Sequence, residues 1–275
     1  MLIWPWIAIA VAAVIWRASR GLGERTQSVL LPTAVGVFGV AVWRLLCLTQ
    51  NEPIFPTPEE TYGGIRELVV DNTLRDYVIA SLFRVTWGFF LAALIGIPLG
   101  LVVGWSLRAY RALNPIIQGL RPISPIAWIP ISILWFGVGD RAAIYLIFLA
   151  AFFPIVVGTM AAVRNISLVH VRSARNFGVD GLELFRRVVL PAAMPQIITS
   201  LRIALGVAWL VVVAAEMIAV DSGLGYLIND ARNMGRRYDL VVAGMLAIGV
   251  IGILLDLLIR RLERFDEVRW GYARR

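Results

Sequence analysis

The sequence predicts an all-α fold, a polytopic membrane helical bundle, on three observations. The chain has 275 residues, 59% of them hydrophobic and 16% charged, with a mean hydropathy of +0.79. A soluble domain of this length does not have that composition. The apolar residues gather into six runs long enough to cross a bilayer and a shorter one near the start. The polar gaps between them alternate, Arg-rich gaps following acidic or neutral ones. The expected architecture is six core transmembrane helices plus a possible short N-terminal span, with a structured cytoplasmic loop. Four regions follow: membrane segments over 1–48, an extracytoplasmic amphipathic connector over 49–80, a transmembrane domain over 81–262, and a basic cytoplasmic tail over 263–275.

Composition also excludes. The net charge is +8, yet every basic residue is Arg, and a P-loop ATPase needs a Lys on its phosphates. The chain is therefore not expected to be an enzyme or to carry a cofactor; any ATP and Mg chemistry must belong to another subunit. The Arg residues lie between apolar runs, which argues for topology control and anionic membrane lipid as a partner, and against nucleic acid. A single Cys, Cys47, permits no internal disulfide, and a single His, His170, permits no His-pair metal site. No catalytic or metal-binding residues are expected.

Residues 2–16 are apolar but barely long enough to span, and Trp4, Trp6 and Trp16 suit either a marginal span or an interfacial helix. No positive charge precedes them and no clean cleavage site follows, so a removed signal peptide is not expected. Arg17, Arg20 and Arg25 then mark an inside segment, and 29–48 a surer span. In 49–80 Glu52, Glu59, Glu60, Glu67, Asp71 and Asp76 face only Arg66 and Arg75. Pro53, Pro56 and Pro58 keep its start extended, and from Glu59 the pattern turns amphipathic through Tyr62, Ile65, Val69 and Val70. A plain connector and a landing surface for a solute-binding protein both fit. The span 81–105 carries Gly88, Ala92, Gly96, Gly100 and Gly104 four apart, the spacing that lets a second helix approach closely, while Pro98 should loosen it locally.

After an inside turn over 106–115, the next run, 116–136, contains Pro122, Pro125 and Pro130 with Arg121, Ser124 and Ser132. Irregular backbone at membrane depth is tolerated where it is buried in protein or lines water. A kinked packing helix and the wall of a substrate path both fit. Arg121, Ser124, Pro125 and Trp128 are the candidate path residues. A turn over 137–141 leads to a span over 142–163, with a kink expected at Pro154. A later span, 197–220, holds Arg202, placed to snorkel, and Glu216, a further path candidate that would hold a gate or pair with an Arg. A loop over 221–239 and a last span over 240–259 precede the tail. Arg excess over 17–28, 106–115, 164–196 and 260–275 puts those segments and the C-terminus inside.

The polar stretch 164–196 should itself be folded. Ser167 can cap a helix that Gly178 ends, and Asp180 with Glu183 spells a capping box for a second. Leu182, Phe185 and Val189 would give that helix an apolar stripe, and Pro191 would stop it. The stretch resembles the cytoplasmic signature of ABC importer permeases: Glu-Ala-Ala, a Gly four residues on, an apolar residue and Leu-Pro. The pattern falls on Arg172, Ser173, Ala174, Gly178, Val188, Leu190 and Pro191, with Arg and Ser replacing the first two residues. The flanking runs LRPISPIAWIPISILWFGVGD and LRIALGVAWLVVVAAEMIAVDSGLGYLI resemble the nitrate/sulfonate/bicarbonate branch. That resemblance implies a multi-pass protein of the cell inner membrane, working as a pair with a second permease copy. It implies ABC ATPase subunits gripping the loop as a coupling helix, an extracytoplasmic solute-binding protein, and a small anionic solute. WFGVGD at 135–140 is closer to the taurine/sulfonate members. A secondary transporter or channel is the alternative and would need coupling carboxylates in mid-membrane. An intramembrane enzyme lacks the histidines it would need.

Overall fold

A computed structural model describes residues 24–49, 55–235 and 237–262. The readings for 2–16, for 17–23, for Glu52 and Pro53, and for the tail from 263 onward lie outside them. Every described element is helical: α1 (Glu24–Leu48), α2 (Pro58–Val70), α3 (Thr73–Trp105), α4 (Leu107–Leu120), a 3-10 turn (Pro125–Trp128), α5 (Ile129–Phe136), α6 (Asp140–Arg164), α7 (Leu168–Asn176), α8 (Gly181–Leu184), a π-helical turn (Phe185–Val189), α9 (Leu190–Ala219), α10 (Leu224–Asn233) and α11 (Tyr238–Leu262). Five stretches are long and apolar enough to cross a membrane: Leu30–Leu48, α3, α6, Gly181–Ala219 and Tyr238–Arg261. The pair α4 with Pro125–Phe136, bent by 85°, makes the sixth if it is one span.

The chain forms two compact units, one from residues up to Thr73 with Asp230–Gly244, the other from Leu74–Asn229 with Met245 onward. In the first, α2 starts as its sequence spells. Thr57 Oγ1 accepts from Glu60 N–H at 3.3 Å, and the Glu60 carboxylate accepts from Thr57 N–H at 2.7 Å. Its packing face differs from the expected one. Thr61, Gly64 and Leu68 are buried, whereas Tyr62, Val69 and Val70 are exposed. Gly64 makes this possible, because a Cβ there would stand 3.1 Å from the Asp239 carbonyl oxygen. Arg237 donates to Glu67 at 2.6 Å and to Asp239 at 2.8 Å. These bonds, Asp239's foremost, raise its guanidinium above the ordinary arginine pKa.

In the second unit α6 is the spine, and the glycine ladder of α3 lies against it. A Cβ at Gly88 would stand 2.6 Å from Ile147 Cγ2, one at Gly100 2.6 Å from Thr159 Cβ, and one at Gly104 2.8 Å from Val163 Cβ. Helix contact here depends on the absence of side chains. On its other flank α6 meets α9, where a Cβ at Gly158 would collide with the Ser200 side chain. Val85 and Ala92 of α3, Ile147 and Ile155 of α6, and Ala204 and Val212 of α9 form one apolar core.

Four expectations change. The helix of the third region starts at Thr73, not Ser81, and runs through Pro98 without a break. The expected turn over 106–115 shrinks to Ser106, whose hydroxyl accepts from Ala109 N–H at 3.3 Å and starts α4 at once. The run 116–136 is bent far more sharply than a kinked helix, by 85° between α4 and Pro125–Phe136. It breaks at 121–124, because Pro125 and Pro130 sit at helix starts, where a missing N–H costs nothing. The loop over 221–239 contains the ten-residue α10.

Candidate functional site

At the Arg164 end of α6 the chain builds a helical hairpin. Ser167 Oγ accepts from Val169 N–H at 3.3 Å and opens α7. Gly178, at φ +78°, closes it: Val179 N–H donates to the Ala174 carbonyl at 3.0 Å. The capping box does not form, since Asp180 makes no side-chain cap bond. Asp180 pairs instead with Arg175 at 3.4 Å, and Glu183 with Arg187 at 3.1 Å. Both are exposed pairs of small energetic weight.

Pro191 does not stop a helix. It is the second residue of α9, and the chain from Gly181 to Ala219 continues as one span. The π-helical turn allows this. Leu190 N–H donates to the Phe185 carbonyl, five residues back, so the ladder is already widened where the proline ring enters. The same turn divides the expected stripe. Val189 packs with Ala162, Val163, Ala193 and Ile197, and Phe185 lies edge-on to Trp105 with centroids 5.5 Å apart. Leu182 points the other way, 81% exposed, and Phe177 at the end of α7 is 86% exposed. Of the residues carrying the signature, Arg172, Ser173, Gly178 and Pro191 are exposed, and Ala174, Val188 and Leu190 half-buried. α7, which carries Arg172, Ser173 and Ala174, packs back on the π-helical turn, which carries Val188.

The break at 121–124 is the second feature. Before it, Ile117 packs with Val156 and Met160; after it, Ile129 packs with Ala143, Leu146 and Ala150. The break therefore lies level with the middle of α6. Arg121 and Ser124 are exposed there, with Pro125 and Trp128 half-buried. Trp128 rests on the cluster of Ile129 and Leu146.

The third feature is buried, at the Asp140 end of α6. Arg84 of α3 is 2% exposed and Glu216 of α9 is 0% exposed. Arg84 Nη1 donates to Glu216 Oε1 at 2.8 Å and to the Ser222 carbonyl at 2.7 Å, Nη2 to Ser222 Oγ at 2.6 Å, and Nε to Asp140 Oδ1 at 2.7 Å. Glu216 Oε2 accepts from Ser81 Oγ and from Gly225 N–H, both at 2.9 Å. This cluster joins four helices, α3, α6, α9 and the start of α10, and the turn after α9. Of the two roles open to Glu216, the structure gives it an arginine partner and no exposed surface, and places it apart from Arg121. Arg84, Ser81, Asp140 and Ser222 were not singled out in the sequence. Their signal was Arg84 itself, an ionisable group within LFRVTW, which at membrane depth demands a carboxylate. Arg202 likewise does not simply snorkel; its Nε donates to Asp256 at 2.8 Å. Among the described residues no group of His, Cys, Asp or Glu is arranged to hold a metal ion.

These geometries can dock a partner, border a path and brace a bundle. Comparison with known proteins agrees. Residues 96–265 match the family described as binding-protein-dependent transport system inner membrane component. The chain is 37% identical to the taurine transport system permease protein TauC of Escherichia coli (strain K12) over 228 residues, 81% of this chain and 82% of that one. It is 38% identical to the nitrate import permease protein NrtB of Leptolyngbya laminosa over 237 residues, 83% and 85% of the two chains. The putative aliphatic sulfonates transport permease protein SsuC of Bacillus subtilis (strain 168) is 34% identical over 86% of this chain and 85% of its own length. In fold, the chain is similar to an inward-facing structure of the MetNI methionine ABC transporter, with a TM-score of 0.61 over 69% of this chain and 94% of that one, at 20% identity. A helical bundle with a hairpin that exposes large apolar side chains and a broken span, identical to these named permeases at 34–38% of the aligned positions, belongs to the ABC importer permeases of the nitrate, taurine and sulfonate family, inner membrane components of binding-protein-dependent transport systems.

Proposed function

We propose that this chain forms the path of an ATP-driven importer for a small oxyanion, an aliphatic sulfonate such as taurine, or nitrate or bicarbonate. The observation that carries the reading is Arg121, exposed at a break level with the middle of α6 and without an acidic partner among the described residues. An arginine at that depth needs protein or water beside it. A second copy facing the break would enclose such a space, and a guanidinium matches the geometry of sulfonate, carboxylate or nitrate. Relatives named for taurine and nitrate point to the same solute class.

ATP and Mg would be bound by partner ATPases seated on the 164–190 hairpin; the Arg excess there and near the C-terminus supports a cytoplasmic side for both. A solute-binding protein would deliver the anion on the other side. The fold needs only two packings of similar energy, biased by the ATPases. The motif residues Arg172, Ser173, Ala174, Gly178, Val188, Leu190 and Pro191 would form or support the gripped surface.

The test is uptake into proteoliposomes holding the permease, its ATPases and the binding protein. Arg121→Ala should lower the rate of anion uptake at least about tenfold, the loss of a hydrogen bond to a charged group. Arg121→Lys should retain part of it. Uptake unchanged in Arg121→Ala would show that the solute does not meet this side chain.

A further inference from the structure

Within the first unit, α2 is fastened to the ends of two spans. Just ahead of it the Pro56 carbonyl accepts from Trp43 Nε1–H at 3.1 Å and from the Cys47 thiol at 3.5 Å, and both donors lie in the last two turns of α1. Glu59 Oε1 stands 3.2 Å from Arg44 Nε. Halfway along α2 the bare backbone of Gly64 meets the start of α11. A Cβ there would stand 3.1 Å from the Asp239 carbonyl oxygen and 3.3 Å from Leu240 Cδ2. Trp43 is only about 7.5 Å short of the end of α1, at about 1.5 Å per residue. Both α1 and α11 are long and apolar enough to cross a membrane from these ends. α2 therefore lies across the spans at the level where they leave the hydrocarbon, not out in solvent.

Three faces run along α2 at the helical repeat of about 100° per residue. Thr61, Gly64 and Leu68 form the first and are buried in the protein. Tyr62, Ile65 and Val69 form the second, beside it; Tyr62 is 70% exposed and Val69 56%, with Ile65 half-buried. Glu60, Gly63 and Glu67 form the third, all exposed. The contacts give these faces a direction. Gly64 meets α11 at Asp239 and Leu240, whereas Glu67 accepts at 2.6 Å from Arg237, which precedes α11. Turning about α2 from Gly64 towards Glu67 thus leads away from the span and into water. Turning the other way leads past Leu68 and Thr61 to the row of Ile65, Val69 and Tyr62, towards the hydrocarbon.

We propose that α2 is an interfacial helix whose row of Tyr62, Ile65 and Val69 rests on the lipid bilayer, in the boundary between headgroups and acyl chains. A helix with one apolar and one charged face lies in the membrane plane in this way. The row continues the apolar surface of α1, whose Leu46 and Leu48 are exposed at the same end. Aromatic side chains mark that level: Trp43, with Phe55 edge-on to it at 6.0 Å between ring centroids, and Tyr62. A soluble partner arriving from water would meet the carboxylates of Glu60 and Glu67 before it met the apolar row. The lipid contact is independent of which solute is carried and of where the ATPases bind.

Site-directed fluorescence of the full chain in phosphatidylcholine liposomes tests it. In a Cys47→Ser background, Tyr62→Cys, Val69→Cys and Gly63→Cys are each labelled with an environment-sensitive fluorophore. Lipids that carry a spin label near the glycerol end of the acyl chain should quench most of the emission from positions 62 and 69 and little from position 63. Iodide in the water should do the reverse. Nothing lies within 4 Å of a Cβ at Gly63, so the control position has room for its label. Thermal melting checks that each labelled protein is folded, and either position of the row suffices for the test. Equal lipid quenching of the row and of position 63 overturns the proposal. Shielding of the row from both quenchers would mean that protein covers it, a second copy or another segment of this chain, and overturns it too. So does free access of iodide to the row that ends when a solute-binding protein is added, which would make the row that protein's landing surface.

Discussion

The two ends of α6 solve opposite problems. At the Asp140 end a charged arginine is sunk among helices and nearly every donor it has is taken by Asp140, Glu216 and Ser222. At the Arg164 end, about 37 Å away for 25 residues at 1.5 Å each, charges are exposed and so are the large apolar side chains Phe177 and Leu182. The first end is complete within one chain. A fully bonded buried ion pair offers nothing to a ligand and braces the elements it joins. The second end leaves large apolar side chains exposed, which is what the proposed ATPase partner would cover. Polarity alone would have assigned the roles the other way round: the buried charges look functional and the loop looks like a solvated connector.

That contrast can be broken most sharply at Glu216. Glu216→Ala leaves Arg84 buried with only part of its partners, and should cost about 3–5 kcal/mol. The expected result is a large fall in the melting temperature of the detergent-purified protein. The double variant Arg84→Met with Glu216→Leu should recover most of it, because apolar groups of similar size need no partners. A single variant that melts like the wild type would show that the pair does not brace this end.

A smaller loss is expected along the spine between the two ends. Gly100→Val forces a side chain against Thr159 and the Val156 carbonyl, at an overpacking cost of about 1–3 kcal/mol. Gly36→Ala in α1, where nothing lies within 4 Å of an added Cβ, should not destabilise the protein and serves as the control. Equal melting of Gly100→Val and wild type would mean that α3 and α6 do not touch through the glycine ladder.

At the hairpin the predicted effects leave stability and move to partnership. Gly178→Val meets no steric neighbour, but a β-branched residue at φ +78° is strained by about 1–2 kcal/mol, confined to the turn. Insertion and bundle melting should change little, while ATP-coupled uptake is lost. Uptake at the wild-type rate would remove the hairpin from the coupling route. Leu182→Asp should be the mildest for folding, within about 0.5 kcal/mol, since the side chain is already in solvent. Its expected signature is loss of ATPase subunits on affinity purification, and normal recovery of those subunits would show that Leu182 is not covered by them.

Local patterns were read correctly where the physics is local. The cap at Ser167, the glycine exit at Gly178 and the small residues of α3 depend on a few neighbouring residues, and the structure holds them as their spacing suggests. Readings went astray where a local rule competed with packing. Asp180 and Glu183 spell a capping box, yet nearby Arg175 and Arg187 take both carboxylates. Pro191 spells a stop, yet the widened turn before it receives the ring. The apolar positions Tyr62 and Val69 mark a helix face, but small Gly64 lets the opposite face come closest to Asp239.

What the chain's order of residues determines by itself is its membrane character: length of apolar runs and placement of arginines depend on transfer energies that each residue carries with it. What only the folded arrangement decided is the meaning of its charges. Arg84 and Glu216 lie 132 positions apart and acquire their significance by meeting at 2.8 Å, while Arg121, which we propose meets the solute, faces no carboxylate among the described residues. An ion's energy inside a membrane depends on what stands within a few ångströms of it, and that distance is a property of the packed helices, not of the sequence that forms them.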